Sequence, residues 1–392
     1  MTSPLAFQWG VATVFGWGVY GLNLLRHWPR VSGKPAYCAA EIQLDSFRGM
    51  DAMRLRTLAP ILVHADQMKR HLMEMAGRGD TFNGLVLHSI GNRFSGSAGP
   101  GSTHLRGLKT FGATFIEDTF LPQAKDLADR FNLVVAGSTW NEELLRANGV
   151  TNVTTVIQGI DPSLFHPGPA FGANEDRFAV FSGGKLEHRK GQDLVLLAFR
   201  AFAERHPDAL LVTAWNSPWH AGALSLNRNQ RIAPITLTPE NTVSPAAWAA
   251  ANGIRPEQFI DLGSVPNHFM GQNLREMDVA VFPNRCEGGT NLVAMECMAC
   301  GVPAIVANNT GQKDLVNTGA VYTLGRQSGV SVPDLGTDGW GESDVEEIVE
   351  ALETVYRNRD EARRRGAAGA AAMADWSWAN QVDKLYRVLT SA

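Results

Sequence analysis

Asp278–Pro303 reads DVAVFPNRCEGGTNLVAMECMACGVP, and the order of its parts decides the fold. Val279–Phe282 is an apolar run of buried-strand length, and a loop with paired glycines follows it. Leu292–Ala299 then has helical composition and stops at Gly301 and Pro303. Strand, loop and helix in that order are the repeating unit of a parallel sheet. The loop gathers Glu287, Gly288, Gly289, Thr290 and Asn291 just before a helix, where backbone amides point outward and suit an anion. Glu287 adds a carboxylate able to accept from sugar hydroxyls. Glu296 lies within the helix. It is either a solvent-facing residue or a buried carboxylate that needs hydrogen-bonding partners.

The same rhythm extends in both directions. Strands are expected at Phe178–Phe181, Leu210–Trp215, Phe259–Leu262, Ala304–Ala307 and Val321–Leu324. Towards the N-terminus they are expected at Phe7–Phe15, Tyr37–Leu44, Gly84–His88, Thr114–Ile116, Leu133–Ala136 and Val153–Ile157. Helical periods lie between them, for example at Gln192–Arg205 and Val345–Arg357. Twelve strands would overfill one twisted sheet, and 392 residues exceed one ordinary core. The expectation is an α/β protein of two Rossmann-like, doubly wound domains. His166–Asp176, HPGPAFGANED, has linker composition and sets the division at 1–168 and 169–375, with a terminal segment 376–392. Ser95–Thr103 and Val330–Ser343 read as loops, the former mobile. Glu361–Ala374 and Trp378–Leu389 read as helices.

Composition narrows the function. A net charge of −4 supplies no basic field for nucleic acid. Four cysteines in this length do not form a disulfide framework, so a reducing compartment is expected. Cys297 and Cys300 form C-x-x-C with no second pair, which reads as core packing rather than a zinc site. The first 25 residues carry no charge and could span a membrane by length. Their polar residues and glycines read better as a strand, a turn at Gly16–Gly18 and a helix from about Val19 to Trp28.

Two further motifs carry chemistry. Gly16–Gly21, GWGVYG, matches G-x-G-x-x-G, with Glu41 where a ribose-binding acid would sit. It fits a dinucleotide site, a phosphate- or sugar-facing turn of another α/β enzyme, or a purely structural turn. Phe181–Gly191, FSGGKLEHRKG, runs from a strand into Gly183 and Gly184 and then places Lys185 and Lys190 close together. Glycine amides and two ammonium groups suit a diphosphate. A solvated charge cluster is the competing reading.

Taken together, Gly183–Lys190, the Glu287 to Glu296 segment and Met298–Pro303 resemble the retaining GT-B glycosyltransferases of family 4. Val156–Asp161 with Phe165 and Pro167 resembles that family's interdomain segment, and Leu133–Val150 its preceding strand and helix. The resemblance implies two domains facing a cleft and a final helix that crosses back to the first domain. It implies that Lys185, in place of the family's arginine, and Lys190 hold the donor diphosphate. Gly288, Gly289, Thr290 and Asn291 would present amides to sugar and phosphate, Glu287 would contact the sugar and Glu296 the ribose. Gly16 and Gly18 would form a glycine loop across the cleft, and His88 would stand near the reacting sugar. One departure stands out: eight residues separate Glu287 from Glu296, where the family has seven.

The implied reaction is transfer of a sugar from a UDP- or GDP-sugar to an acceptor hydroxyl with retention. No cofactor is expected, and no metal, since the chain contains no D-x-D. Pro29, Arg30 and Asn92–Gly107 are expected on the acceptor side, the acceptor being a glycan, a lipid-linked compound or a protein. The implied location is cytoplasmic, with peripheral contact at the inner membrane face. The alternative is a nucleotide-sugar-binding module or epimerase of the same fold.

Overall fold

The structure is a computed structural model that describes residues 3–94, 104–215 and 219–392. Ser95–Thr103, read above as a mobile loop, lies outside the described residues. Two six-stranded parallel sheets form its frame. The first contains β1 (Leu5–Phe7), β2 (Ala36–Cys38), β3 (Thr81–Ile90), β4 (Arg106–Thr114), β5 (Leu133–Ala136) and β6 (Val153–Thr155) in the order β2-β1-β3-β4-β5-β6. The second contains β7 (Phe178–Gly183), β8 (Ala209–Ala214), β9 (Phe259–Asp261), β10 (Val279–Phe282), β11 (Ala304–Ala307) and β12 (Tyr322–Leu324) in the order β12-β11-β10-β7-β8-β9. In both, the chain starts near the middle, moves to one edge and returns past its start. The strands that carry the candidate motifs, β7 and β10, are neighbours in register, with Val279 opposite Val180. Strands buried on both faces need continuous apolar runs, and β7, β10 and β11 have them.

The N-terminal reading needs two corrections. β1 ends at Phe7 rather than Phe15, and beyond it only Val11 makes a bridge, to Ile42. The helix starts at Gly16, not Val19, and runs to Ser32. The glycines therefore lie in the helix rather than in a turn. At Gly18 a Cβ would lie 2.7 Å from the Ala12 backbone nitrogen, so glycine lets this helix sit against the preceding segment. A helix at Ala52–Arg78 was not among those singled out from the sequence. No helix among the described residues is long and apolar enough to cross a membrane.

The packing changes sides between Val156, in the first core, and Ile160, in the second. That lies ahead of the Pro/Gly-rich stretch where the sequence places the boundary. The helix Trp378–Ser391 packs Trp378, Val382, Leu385 and Leu389 into the first core beside Trp28 and Leu24. Its entry is fixed by backbone bonds: Ile160 donates to Trp376 at 2.9 Å, and Trp378 donates to Ile160 at 2.9 Å. The segment Val330–Ser343 is held at its base by a short antiparallel pair, Gln327–Gly329 with Gly341–Ser343. All four cysteines are buried and unpaired, Cys297 and Cys300 within the second core.

Candidate functional site

The site is assembled where β7 and β10 end. After β7 the chain passes through Gly184, at φ 126°, and Lys185 into a tight turn, His188–Lys190. Arg285, fully buried, holds that turn. Its guanidinium pairs bidentately with Asp193 at 2.8 and 2.6 Å and donates to the His188 carbonyl at 2.6 Å. The Arg189 carbonyl in turn accepts from the Arg285 amide at 2.7 Å. A buried ion pair is costly to break from one side, which makes the turn a rigid support.

On that support Lys190 Nζ donates to Glu287 Oε1, and Asn284 Nδ2 donates to the same oxygen. Arg189 contacts three carboxylates: Glu187 at 2.8 Å, Glu117 at 3.0 Å and Glu287 at 3.3 Å. Burial alone would raise the Glu287 carboxyl, but Lys190 and Arg189 outweigh it and hold it below the usual range. Glu117 is shifted the other way, chiefly by burial, with Arg189 pulling against that. Lys185 stands 4.5 Å from the centre of the Trp219 ring, and burial lowers its ammonium. Trp219 meets Phe15 across the cleft at 6.4 Å between ring centres. This places Lys185 opposite the start of the helix at Gly16.

The loop after Glu287 is packed, not open. Gly288 and Gly289 lie against Phe115 of the first domain, and the Gly288 carbonyl accepts from Ser138 Oγ at 2.8 Å. The Thr290 hydroxyl donates to Met295 Sδ at 2.9 Å. Asn291 caps the helix through the Ala294 amide at 3.3 Å and donates to Gln312 at 2.9 Å. Both side chains are thus engaged within the protein, so only backbone groups of this loop could serve a ligand. Glu296 is buried and accepts from Asn267 Nδ2 at 2.5 Å, and burial pushes its carboxyl up to about 8. The Asn267 amide donates to the Thr13 carbonyl at 2.8 Å, so Glu296 connects to the first domain through one residue.

Three further expected residues have surroundings of their own, apart from the bonds of the Lys190–Glu287 cluster. His88 Nε2 bonds the Leu105 carbonyl at 3.0 Å, its ring lies against Phe131, and burial lowers it. Both partners lie in the first domain, just ahead of β4 and β5. Pro29 and Arg30 sit near the far end of the Gly16–Ser32 helix, about 20 Å from Gly16 at 1.5 Å per residue. Glu41 is exposed and its carbonyl accepts from the Val11 amide at 3.0 Å.

The residues that sequence reasoning missed fall into two kinds. Arg189, Asn284 and Asp193 stand next to recognised motifs, and their signal was the density of polar groups there. Glu117 and Asn267 come from distant segments and had no local signal. Among the described residues no cluster of three His, Cys, Asp or Glu side chains could hold a metal.

Residues 123–385 match a family model described as "Family 4 Glycosyltransferase in conflict systems". Among curated proteins, the chain is 26% identical over 240 residues to the GDP-mannose-dependent α-(1-6)-phosphatidylinositol monomannoside mannosyltransferase of Mycolicibacterium smegmatis, covering 59% of this chain and 54% of that protein. It is 28% identical over 258 residues to a D-inositol 3-phosphate glycosyltransferase of Thermomonospora curvata, covering 61% and 52%. The chain thus spans about half the length of these relatives. Sucrose-phosphate synthase from Thermosynechococcus elongatus superposes with a TM-score of 0.66 at 16% identity, over 99% of both chains. Anabaena HepE, crystallised with UDP, gives 0.63 at 13% identity, over 99% of this chain and all of that one. These two likenesses show the GT-B fold.

Proposed function

We propose, on the premise that this chain belongs to the family 4 glycosyltransferases in conflict systems, that it moves a hexosyl group from a nucleotide-sugar donor to an acceptor hydroxyl. The observation that carries this reading is the convergence of Lys190, Arg189 and Glu287 on one buried cluster beside Lys185 and Trp219. Lys185 and Lys190 are assigned to the donor diphosphate, with Gly184 beside Lys190 leaving room for it. Charge builds on that diphosphate as the sugar leaves, and fixed cations there stabilise it. The amides that open the Gly16–Ser32 helix face the same space, where their partial positive charge favours an anion.

Glu287 is assigned to the sugar hydroxyls and Glu296, with Asn267, to the ribose. The 287–291 loop contributes backbone groups, since the Thr290 and Asn291 side chains are engaged. His88 keeps no direct part in this proposal. Retention follows the family's pattern: the acceptor oxygen bonds to C1 on the face the diphosphate leaves. The C1–O bond breaks with its electron pair going to the diphosphate, and the acceptor proton passes to a donor phosphate oxygen. No metal enters these steps.

UDP- and GDP-sugars are both kept as donors. The relatives named for GDP-mannose and the HepE complex with UDP support one each. An acceptor carried on a lipid, met at a membrane face, is supported by the phosphatidylinositol names of relatives. A cytoplasmic setting is supported by four unpaired cysteines.

Thermal shift against UDP-, GDP- and ADP-sugars and NAD, followed by nucleotide release without acceptor, tests the reading. Stabilisation by a sugar nucleotide together with slow nucleotide release is expected. Stabilisation by NAD alone would sink it, and binding without any release would leave a binding module.

A further inference from the structure

A cavity of about 440 Å³ opens between the two domains, with Arg189 in its lining. Its size falls within the roughly 300–1,000 Å³ of small-molecule sites. The first domain supplies Asn92 and Glu117 and the second supplies Glu187, His188 and Arg189, so the space exists only with the domains together. Arg189 stands at the shared wall: it touches Glu117 and Glu187, which line the cavity, and Glu287, which lines the donor cluster. A group held at Glu117 is therefore one guanidinium away from the position assigned to the donor sugar.

The lining has two characters. Val332, Pro333 and Leu335, with Trp340, give an apolar side. Opposite stand carboxylates whose positions are fixed by Arg189, and carboxylates accept hydrogen bonds from hydroxyls. His188 keeps a buried Nδ1 that has no partner among the described residues, and its ring is neutral near pH 7, lowered to about 4 by burial and Arg285. Glu117, Glu187 and Asp334 offset Arg189 and Arg228, so the cavity has no surplus positive charge for a phosphate.

We propose that this cavity is the acceptor subsite and that it takes a neutral polyhydroxyl ring, a sugar or a cyclitol. The ring lies against the Val332–Leu335 side, and its hydroxyls donate to Glu117 and Glu187. This rests on the glycosyltransferase reading for the word acceptor, but not for the binding itself.

Saturation-transfer NMR on the full chain with UDP or GDP present tests it, using myo-inositol, methyl α-mannoside and methyl α-glucoside as probes, each beside a phosphorylated counterpart. At Gly222, which lines the cavity, a Cβ would meet Glu187 Cγ only at 3.9 Å. Gly222→Leu can therefore fill the space from there. At least one neutral ring is expected to bind, and to bind at least tenfold more weakly in Gly222→Leu. Glu187→Gln, which keeps the shape, is expected to weaken the same ring and guards against misfolding of the first variant. Absence of neutral-ring signals, binding of phosphorylated rings alone, or undiminished signals in both variants would overturn the proposal. Failure of every sugar nucleotide to shift the melting curve would instead sink the transferase reading, while the polyol signals stay interpretable.

Discussion

Lys190 donates to Glu287 within a nearly closed pocket, the two side chains being 11% and 7% exposed. An ammonium has three N–H donors, so Lys190 can turn one to a diphosphate oxygen, and Glu287 keeps Arg189 on Oε2 and Asn284 on Oε1 as it does so. A Lys190 donor that shifts to a bound diphosphate opens one acceptor position on Glu287 Oε1, beside the place assigned to the sugar, while Asn284 still donates to that oxygen.

Lys190→Ala is expected to lower kcat/KM for the donor by about 10²–10³-fold, the scale of losing one donor to developing charge. Lys190→Arg should recover part of this by replacing the charge but not the geometry. Initial-rate kinetics with varied donor decide it. Wild-type values in Lys190→Ala would remove the diphosphate role.

The Glu296 carboxyl sits at about 8 against an ordinary 4.5, because burial disfavours its charge. A folded value above the unfolded one means that protonated Glu296 stabilises the fold. That stability is full below about pH 4.5 and is lost as pH rises through about 8. Glu296→Gln copies the protonated form, so its Tm should match wild type in acid and exceed it by a few degrees near pH 9. Ribose hydroxyls donating to the carboxylate would favour the charged form. Nucleotide binding near pH 7 is therefore expected to release protons, as read by calorimetry in buffers of different ionisation heat. Proton uptake would count against the ribose assignment.

Gly288 meets the first domain backbone to backbone. A Cβ there would lie 2.6 Å from the Phe115 carbonyl carbon and 2.8 Å from the Ile116 carbonyl oxygen. Neither atom can swing aside as a side chain would. Gly288→Ala should hold the domains apart, with a larger radius of gyration in small-angle scattering and transfer reduced at least tenfold. An unchanged radius would show that the contact is not needed for closure.

Much of the frame was legible because buried parallel strands write themselves as apolar runs. Leu133–Ala136, Val279–Phe282 and Ala304–Ala307 were located to the residue, as was the helix Leu292–Ala299. The errors came where sequence allows two geometries. Gly16 and Gly18 read as a turn, yet both lie in the helix, and Gly18, like Gly21, serves its close packing, a distinction that depends on what lies across from them. The local half of the site was legible as well: Lys190, Glu287 and Glu296 sit in continuous motifs. What was hidden is the half supplied by distance. Glu117 reaches Arg189 from 72 residues away, and Asn267 reaches Glu296 from the first turn of another helix, Asn267–Leu274. The inward turn of Thr290 and Asn291 was hidden for the converse reason, since motif spacing does not say whether a hydroxyl or amide faces solvent or its own helix.

The segment Val332–Trp340 works as a strap between domains, and Asp118 is its fastening. Asp118 is fully buried, pairs with Arg93 and accepts from the Gly336 amide at 2.8 Å. Around it Thr119 donates to the Gly336 carbonyl at 3.0 Å, Asp338 donates to the Thr119 hydroxyl at 3.0 Å, and Trp340 Nε1 donates to the Glu117 carbonyl at 2.8 Å. Asp118→Ala removes a side chain that binds both Arg93 and the strap, and leaves the Gly336 amide without its acceptor, a loss of about 1–3 kcal/mol. Hydrogen exchange should then speed up at Gly336 and Asp338 by tenfold or more while β10 stays protected, because local opening follows the weakest contacts. Acceleration spread evenly over both sheets would instead mean that Asp118 supports global stability and that the strap does not open by itself.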